Sequence, residues 1–172
     1  DVEIIESNFT VALGLTDPPT GAFTDPRHPK LGWRLYSIDA EKFNQPINWT
    51  KLRVDYVIPE YGSELTGESY ILEMGFERLN GVDFKKGCYV GQEVTARMKH
   101  KTELHKGLVK IGSEETMVNG EELFLNDKPI GSVLTVYDRS ALAYVRLKNR
   151  DEILSTKSTK RIFVDTNPIS SN

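Results

Sequence analysis

Hydrophobic and polar residues alternate in short runs over the first and last thirds of this chain, while two stretches between them take a helical period. Phe9-Thr10-Val11-Ala12-Leu13-Gly14-Leu15 alternates as a strand does, and Asp17-Pro18-Pro19-Thr20-Gly21 stops it. A second strand is expected at Gly32-Trp33-Arg34-Leu35-Tyr36-Ser37, entered through a proline-rich loop. Trp49, Leu52, Val54, Tyr56 and Val57 fit a short helix packed on a sheet, and Pro59 ends it because the residue before a proline is biased away from helix. Gln92-Glu93-Val94-Thr95-Ala96-Arg97-Met98 reads as another helix.

From about Thr102 the period changes to that of strands, at Leu104–Ile111, Glu122–Leu125, Pro129–Val136, Leu142–Leu147 and Arg161–Val164. Asn119-Gly120 and Asn126-Asp127 supply turn chemistry between some of them. Short strands with turns at this spacing predict a small barrel or sandwich. The expectation is an α+β domain over residues 1–101 and a small antiparallel β-barrel over residues 102–172, divided between Met98 and Glu103. Residues Thr166–Asn172 read as a frayed tail.

Composition narrows the class. With 38% hydrophobic and 27% charged residues, the chain is ordinary for a globular protein, and no apolar run approaches the roughly 18 to 20 residues of a membrane span. One cysteine cannot form an internal disulfide, and Asp1-Val2-Glu3-Ile4-Ile5-Glu6 lacks the basic start and apolar core of a secretory signal. A reducing, cytoplasmic setting is therefore expected. The absence of an initiating methionine reads as a trimmed or partial chain.

The net charge of -3 argues against a surface built wholly for nucleic acid. The average conceals a polarity, however. Glu60, Glu64, Glu68, Glu73, Glu77 and Asp83 make one segment acidic, whereas Arg97, Lys99, Lys101, Lys106 and Lys110 follow with only Glu103 against them. Such a basic strip can hold a polyanion such as tRNA, an acidic partner, or nothing beyond water.

Between those segments lies Lys86-Gly87-Cys88-Tyr89-Val90-Gly91-Gln92-Glu93, which sets the only cysteine between two glycines and just ahead of a helix. A thiolate, the form that attacks or ligates, is favoured by neighbouring cations and helix N-termini, and Lys85 and Lys86 supply cations. Glycines permit sharp turns and close approach of a ligand. A lone cysteine also serves as a small buried hydrophobe, so the octapeptide by itself leaves both readings open. His28, His100 and His105 show no spacing that sets two on one helical face, and no protein-only metal site is expected. Trp33 and Tyr89 can stack on a flat heterocycle or fill a core, Glu73 can accept from an amino-pyrimidine edge or simply face water, and Asp25-Pro26-Arg27 reads as a turn.

The octapeptide resembles the motif of the YgfZ family, folate-binding relatives of the glycine cleavage T-protein that assist iron–sulfur proteins. Ile58-Pro59-Glu60-Tyr61-Gly62, Glu73, Leu79-Asn80-Gly81-Val82-Asp83-Phe84, and further upstream Asp25-Pro26-Arg27 with Leu31-Gly32-Trp33-Arg34, are similar to segments preceding the cysteine in that family. Pro129-Ile130-Gly131-Ser132-Val133 and Ala141-Leu142-Ala143-Tyr144-Val145-Arg146 resemble its C-terminal barrel. The resemblance implies that residues 1–101 are the C-terminal part of a GcvT-like folate-binding domain, and that an N-terminal region present in longer family members is missing here.

It further implies a tetrahydrofolate cofactor, with Cys88 as the functional thiol and Lys86 beside it, and with Tyr89, Gln92, Glu93, Arg97, Glu73, Trp33 and Arg34 handling the folate. A single thiol cannot hold an iron–sulfur cluster alone, so any cluster would be transient and shared with an assembly protein or client. Two other functions follow from the same likeness. One is an aminomethyltransferase moving a one-carbon unit to tetrahydrofolate, although such enzymes carry a Gly-Tyr-Thr-Gly-Glu-type segment where this chain has Lys86-Gly87-Cys88-Tyr89. The other is a folate-linked regulator of tRNA modification that uses Lys99, Lys101 and Lys106.

Overall fold

A computed structural model describes residues 8–88, 90–101, 104–146, 154–156 and 161–165, which form two compact units, residues 1–49 and 50–172. The expected tail at Thr166–Asn172, the residues Thr102 and Glu103 at the expected boundary, and Leu147 lie outside the described residues.

In the first unit, β1 (Thr10–Gly14), β2 (Phe23–Thr24) and β3 (Trp33–Ser37) form an antiparallel sheet in the order β1-β3-β2. Thr10 faces Ser37 and Gly14 faces Trp33. Alternation then sends Ala12, Trp33 and Leu35 to one face, where they are buried with Ala40, and leaves Val11, Tyr36 and Phe23 exposed. Gly14 is required by packing, because a Cβ there would fall 2.1 Å from the indole of Trp33. The Trp33 indole N–H donates to the Thr16 carbonyl at 2.8 Å, so its one polar atom is satisfied inside the unit.

Helix α1 (Trp49–Tyr56) takes the place the periodicity assigned to it. It stops ahead of Pro59 in a left-handed Val57 (φ 52°), with the Ile58 N–H returning to the Arg53 carbonyl at 2.8 Å. A β-branched residue is a poor occupant of that conformation. Two features hold it there: Val57 packs with Val54 and Leu142, and the Arg78 guanidinium caps the helix end by donating to the carbonyls of Tyr56 and Val57 at 3.1 and 2.6 Å. Burial pushes the Arg78 guanidinium below its ordinary value.

The barrel comprises β4 (Lys106–Ser113), β5 (Glu122–Leu125), β6 (Lys128–Tyr137), β7 (Ser140–Arg146), β8 (Leu154–Thr156) and β9 (Arg161–Val164). All pairs are antiparallel, and the sheet closes in the order β4-β7-β6-β5-β8-β9. Val109, Ile111, Leu123, Val133, Ala143, Val145 and Ile162 fill its interior. On the outside of β7, Leu142 is fully buried under Val54 and Val57, so α1 covers that side of the barrel. Asn126 and Asp127 both adopt positive φ (49° and 63°) and make the two-residue turn between β5 and β6 that the sequence predicts. Strand β8 has no counterpart among the expected strands. The described residues are thus mostly β with two α-helices, which is compatible with an α+β class.

Candidate functional site

The polypeptide between α1 and the second helix, α2 (Gln92–Lys101), is built from turns rather than regular elements, and its acidic residues hold it in place. Glu64 is buried, pairs with the equally buried Arg53, and accepts from the Glu60 backbone N–H at 3.0 Å and from the Thr135 hydroxyl on β6. Arg53 also pairs with Glu60 at 2.7 Å and donates to the Ile58 carbonyl at 3.3 Å. Further along, the Glu73 carbonyl accepts from the Leu108 N–H at 2.9 Å, and the Glu73 carboxylate accepts from the Tyr144 hydroxyl on β7. Burial, and after it the Glu73 carboxylate, push the Tyr144 phenol well above its ordinary range.

The segment ends in the loop that carries Cys88. Asp83 opens it by accepting from the Lys85 N–H at 2.7 Å, a turn that short acidic side chains make readily. Lys85, Lys86, Gly87 and Cys88 are exposed, the thiol is unpaired, and Val90 is fully exposed. Gly91 takes φ 85° immediately before α2, a left-handed entry that suits glycine. Gly87 has no positive φ and open space around a notional Cβ, so the local backbone does not require glycine there. Phe84, on the near side of the loop, meets His100 edge-on, and the Lys99 ammonium lies 5.3 Å from the centre of the same ring while pairing with Glu77.

The remaining candidate residues are distributed as follows. Lys86 is exposed two residues before Cys88, Gln92 opens α2, and Glu93 pairs with Arg97 one turn along its exposed side. Tyr89 lies outside the described residues. Trp33 and Arg34 belong to the first unit, where Trp33 is core. Arg34 donates to Asp25 at 3.0 Å, and the same carboxylate takes the Arg27 guanidinium at 2.9 and 2.7 Å. Burial alone would raise the Asp25 carboxyl, but the Arg27 hydrogen bonds, aided by both positive charges, overcome it and hold the group below the usual carboxylate range.

Charges in the basic strip take partners from several elements, and among the described residues only Lys99 takes one from the acidic segment. Lys99 pairs with Glu77, Lys110 with Asp55 at 3.0 Å, and Lys106 lies 5.7 Å from the centre of the Tyr144 ring; the Lys101 side chain is outside the described set. The sequence reading missed Arg53 and Glu64 as a buried pair. Its one local signal was Arg53 sitting between Leu52 and Val54 on the covered side of α1.

The implied folate meets a poor fit. Trp33 is covered and its N–H is committed, Arg34 is held by Asp25, and the Glu73 carboxylate is engaged by Tyr144. Trp33 thus offers no stacking face and Arg34 no uncommitted guanidinium edge toward Asp25, while the Glu73 carboxylate keeps one oxygen beside the one Tyr144 occupies. Among the described residues no three His, Cys, Asp or Glu side chains converge as a metal site, and no helix is long and apolar enough to cross a membrane.

No family model matches the chain. It is 37% identical over 98 residues to the iron-sulfur cluster assembly factor IBA57, mitochondrial, of Mus musculus, covering 52% of this chain and 27% of that protein. The human protein of the same name is 36% identical over 95 residues, at 51% and 27% coverage. A homologue in Neurospora crassa is 36% identical over 98 residues, at 51% and 22%. The chain thus spans about a quarter of the length of the curated relatives it matches. Their names overturn the cytoplasmic setting expected from the sequence, since all three are mitochondrial proteins. The expectation rested on a single cysteine and on the lack of a secretory pattern in Asp1-Val2-Glu3-Ile4-Ile5-Glu6, and neither separates one reducing compartment from another.

Proposed function

We propose that this chain is part of a mitochondrial iron–sulfur cluster assembly factor and that Cys88 is the thiol through which it works. The observation that carries the reading is the placement of the only cysteine, exposed on a loop whose two flanks are tied together by Phe84, Glu77, Lys99 and His100. The likeness to the IBA57 proteins supports the process. A surface thiol in the thiolate form can ligate iron in a cluster that another molecule also holds, and cannot complete a cluster's ligand set by itself. The partners are therefore assembly proteins or client enzymes that bring the remaining ligands. Lys86 supplies positive charge to the same loop.

The test is Cys88→Ala in cells whose own copy is deleted. The variant is expected to accumulate normally, with stability within about 0.5 kcal/mol of wild type as for other exposed positions. Iron–sulfur enzyme activities should nevertheless stay as low as in the deletion. Full restoration of those activities would refute the role of the thiol.

A further inference from the structure

Phe84 is the last ring before the Cys88 loop, yet it packs against residues near the far end of α2. Its ring centroid is 6.4 Å from that of His100 with the planes at 69°, and the Lys99 ammonium sits 5.3 Å from its centre. The chain must therefore run back along the helix from Phe84 to reach Gln92. At about 1.5 Å per residue, Gln92 and Lys99 are roughly 10 Å apart along the axis, whereas loop residues 85–91 extend to roughly 23 Å when fully stretched. The loop is slack by about half, so its course depends on where its ends are pinned. The Asp83 carboxylate, accepting from the Lys85 N–H, and the left-handed Gly91 fix the local turns at either end. The Phe84 ring and the Glu77–Lys99 pair fix the chord.

We infer that Phe84, Lys99 and Glu77 are positioning residues for Cys88: by clasping the loop to the distal part of α2 they set the direction in which the thiol is presented. The inference rests on the reading of Cys88 as the working thiol. The clasp is poorly explained as a prop for the core. The Glu77 and Lys99 side chains are 48% and 39% exposed, and ion pairs so exposed add little to global stability. Their effect falls on the loop.

Cys88 is the only cysteine, so a nitroxide label reports on this one loop in the whole 172-residue chain. Phe84→Ala and Lys99→Ala are expected to sharpen the nitroxide lines and to speed amide exchange in residues 85–91 on the order of fivefold, with barrel amides unchanged. Glu77→Gln, a substitution at an exposed position, should shift both readouts the same way. Lys99→Arg keeps the charge over the ring and the pair with Glu77 and should restore them. In unlabelled protein, iron–sulfur support in cells should fall in Lys99→Ala and return in Lys99→Arg. Unchanged lines and exchange in both alanine variants would overturn the clasp. A label that responds while Cys88→Ala still gives full support would leave the clasp standing and remove the reading of the thiol.

Discussion

The hydroxyl of Tyr144 donates to the carboxylate of Glu73, which lies 71 residues earlier in the chain, and the bond fastens the irregular segment before Cys88 to strand β7 of the barrel. Tyr144→Phe leaves a half-buried carboxylate without its donor and should destabilise the protein by about 1 to 2 kcal/mol in urea unfolding. The phenol's folded-state value is raised, so the proton is held more tightly in the folded protein. Its contribution is complete below the unfolded value of about 10 and is lost as pH rises through the folded one. In a difference-absorbance titration one of the seven tyrosines should ionise well after the exposed ones, and Tyr144→Phe should abolish that late step. Simultaneous ionisation of all of them would contradict the bond.

Arg53 and Glu64 form a buried pair, and removing one partner strands the other's charge. Arg53→Met is expected to cost roughly 3 to 5 kcal/mol, whereas the double variant Arg53→Met with Glu64→Leu should recover much of that loss. A double-mutant cycle measured by denaturant unfolding checks both values. Additive single losses would show that the two side chains act independently.

Asp25 accepts from both Arg27 and Arg34, and its carboxyl is held below the usual range despite burial. Because the folded-state value is lowered, its contribution is present above the unfolded value of about 4 and is lost as pH falls through the folded one. Asp25→Asn should therefore destabilise the protein at neutral pH, and the difference from wild type should shrink as the solution is acidified below about pH 4. A gap that stays constant with pH would mean that the carboxylate's charge plays no part.

Gly91 and Gly87 flank Cys88 but make different demands. Gly91→Ala places a Cβ on a left-handed residue and should cost about 1 kcal/mol, while Gly87→Ala meets open space and should leave the melting temperature near that of wild type. Gly131→Ala is the severe case, because its Cβ would come 2.2 Å from the Tyr144 carbonyl oxygen across the β6–β7 pair. Thermal unfolding of the three variants should rank them Gly131, Gly91, Gly87 from most to least damaged.

The strands β4, β5, β6, β7 and β9 were legible because each presents alternate residues to a packed interior, a period carried by neighbouring positions. Helix α1 and the Asn126-Asp127 turn were legible for the same local reason. Strand β8 was not, since a three-residue run has too few positions to show a period and is recruited by pairing with β5 and β9. At the candidate site, the sequence marked Cys88 as the residue of interest but left open whether it was covered. Trp33 offered a stacking face on paper and turned out to be covered, because β1 and β3 turn it inward over Gly14. The run from Glu60 to Asp83 read only as an acidic segment, and its partners were not legible: Glu60, Glu64, Glu73 and Glu77 each take one from elsewhere in the chain.

What the sequence by itself determined is the approximate place of most strands, of both α-helices and of the Asn126-Asp127 turn, and that one thiol stands in a glycine-flanked loop before a helix. These depend on residues within a few positions of one another, where backbone sterics and side-chain period act directly. The tertiary structure alone decided which charges neutralise each other, which aromatic is covered, and how the two ends of the Cys88 loop are joined. Glu64 meets Thr135, and Glu73 meets Tyr144, only because barrel closure brings β6 and β7 to them. Lys99 reaches Phe84 only because the loop turns back along α2, so the presentation of Cys88 is a property of those long-range contacts rather than of the motif that contains it.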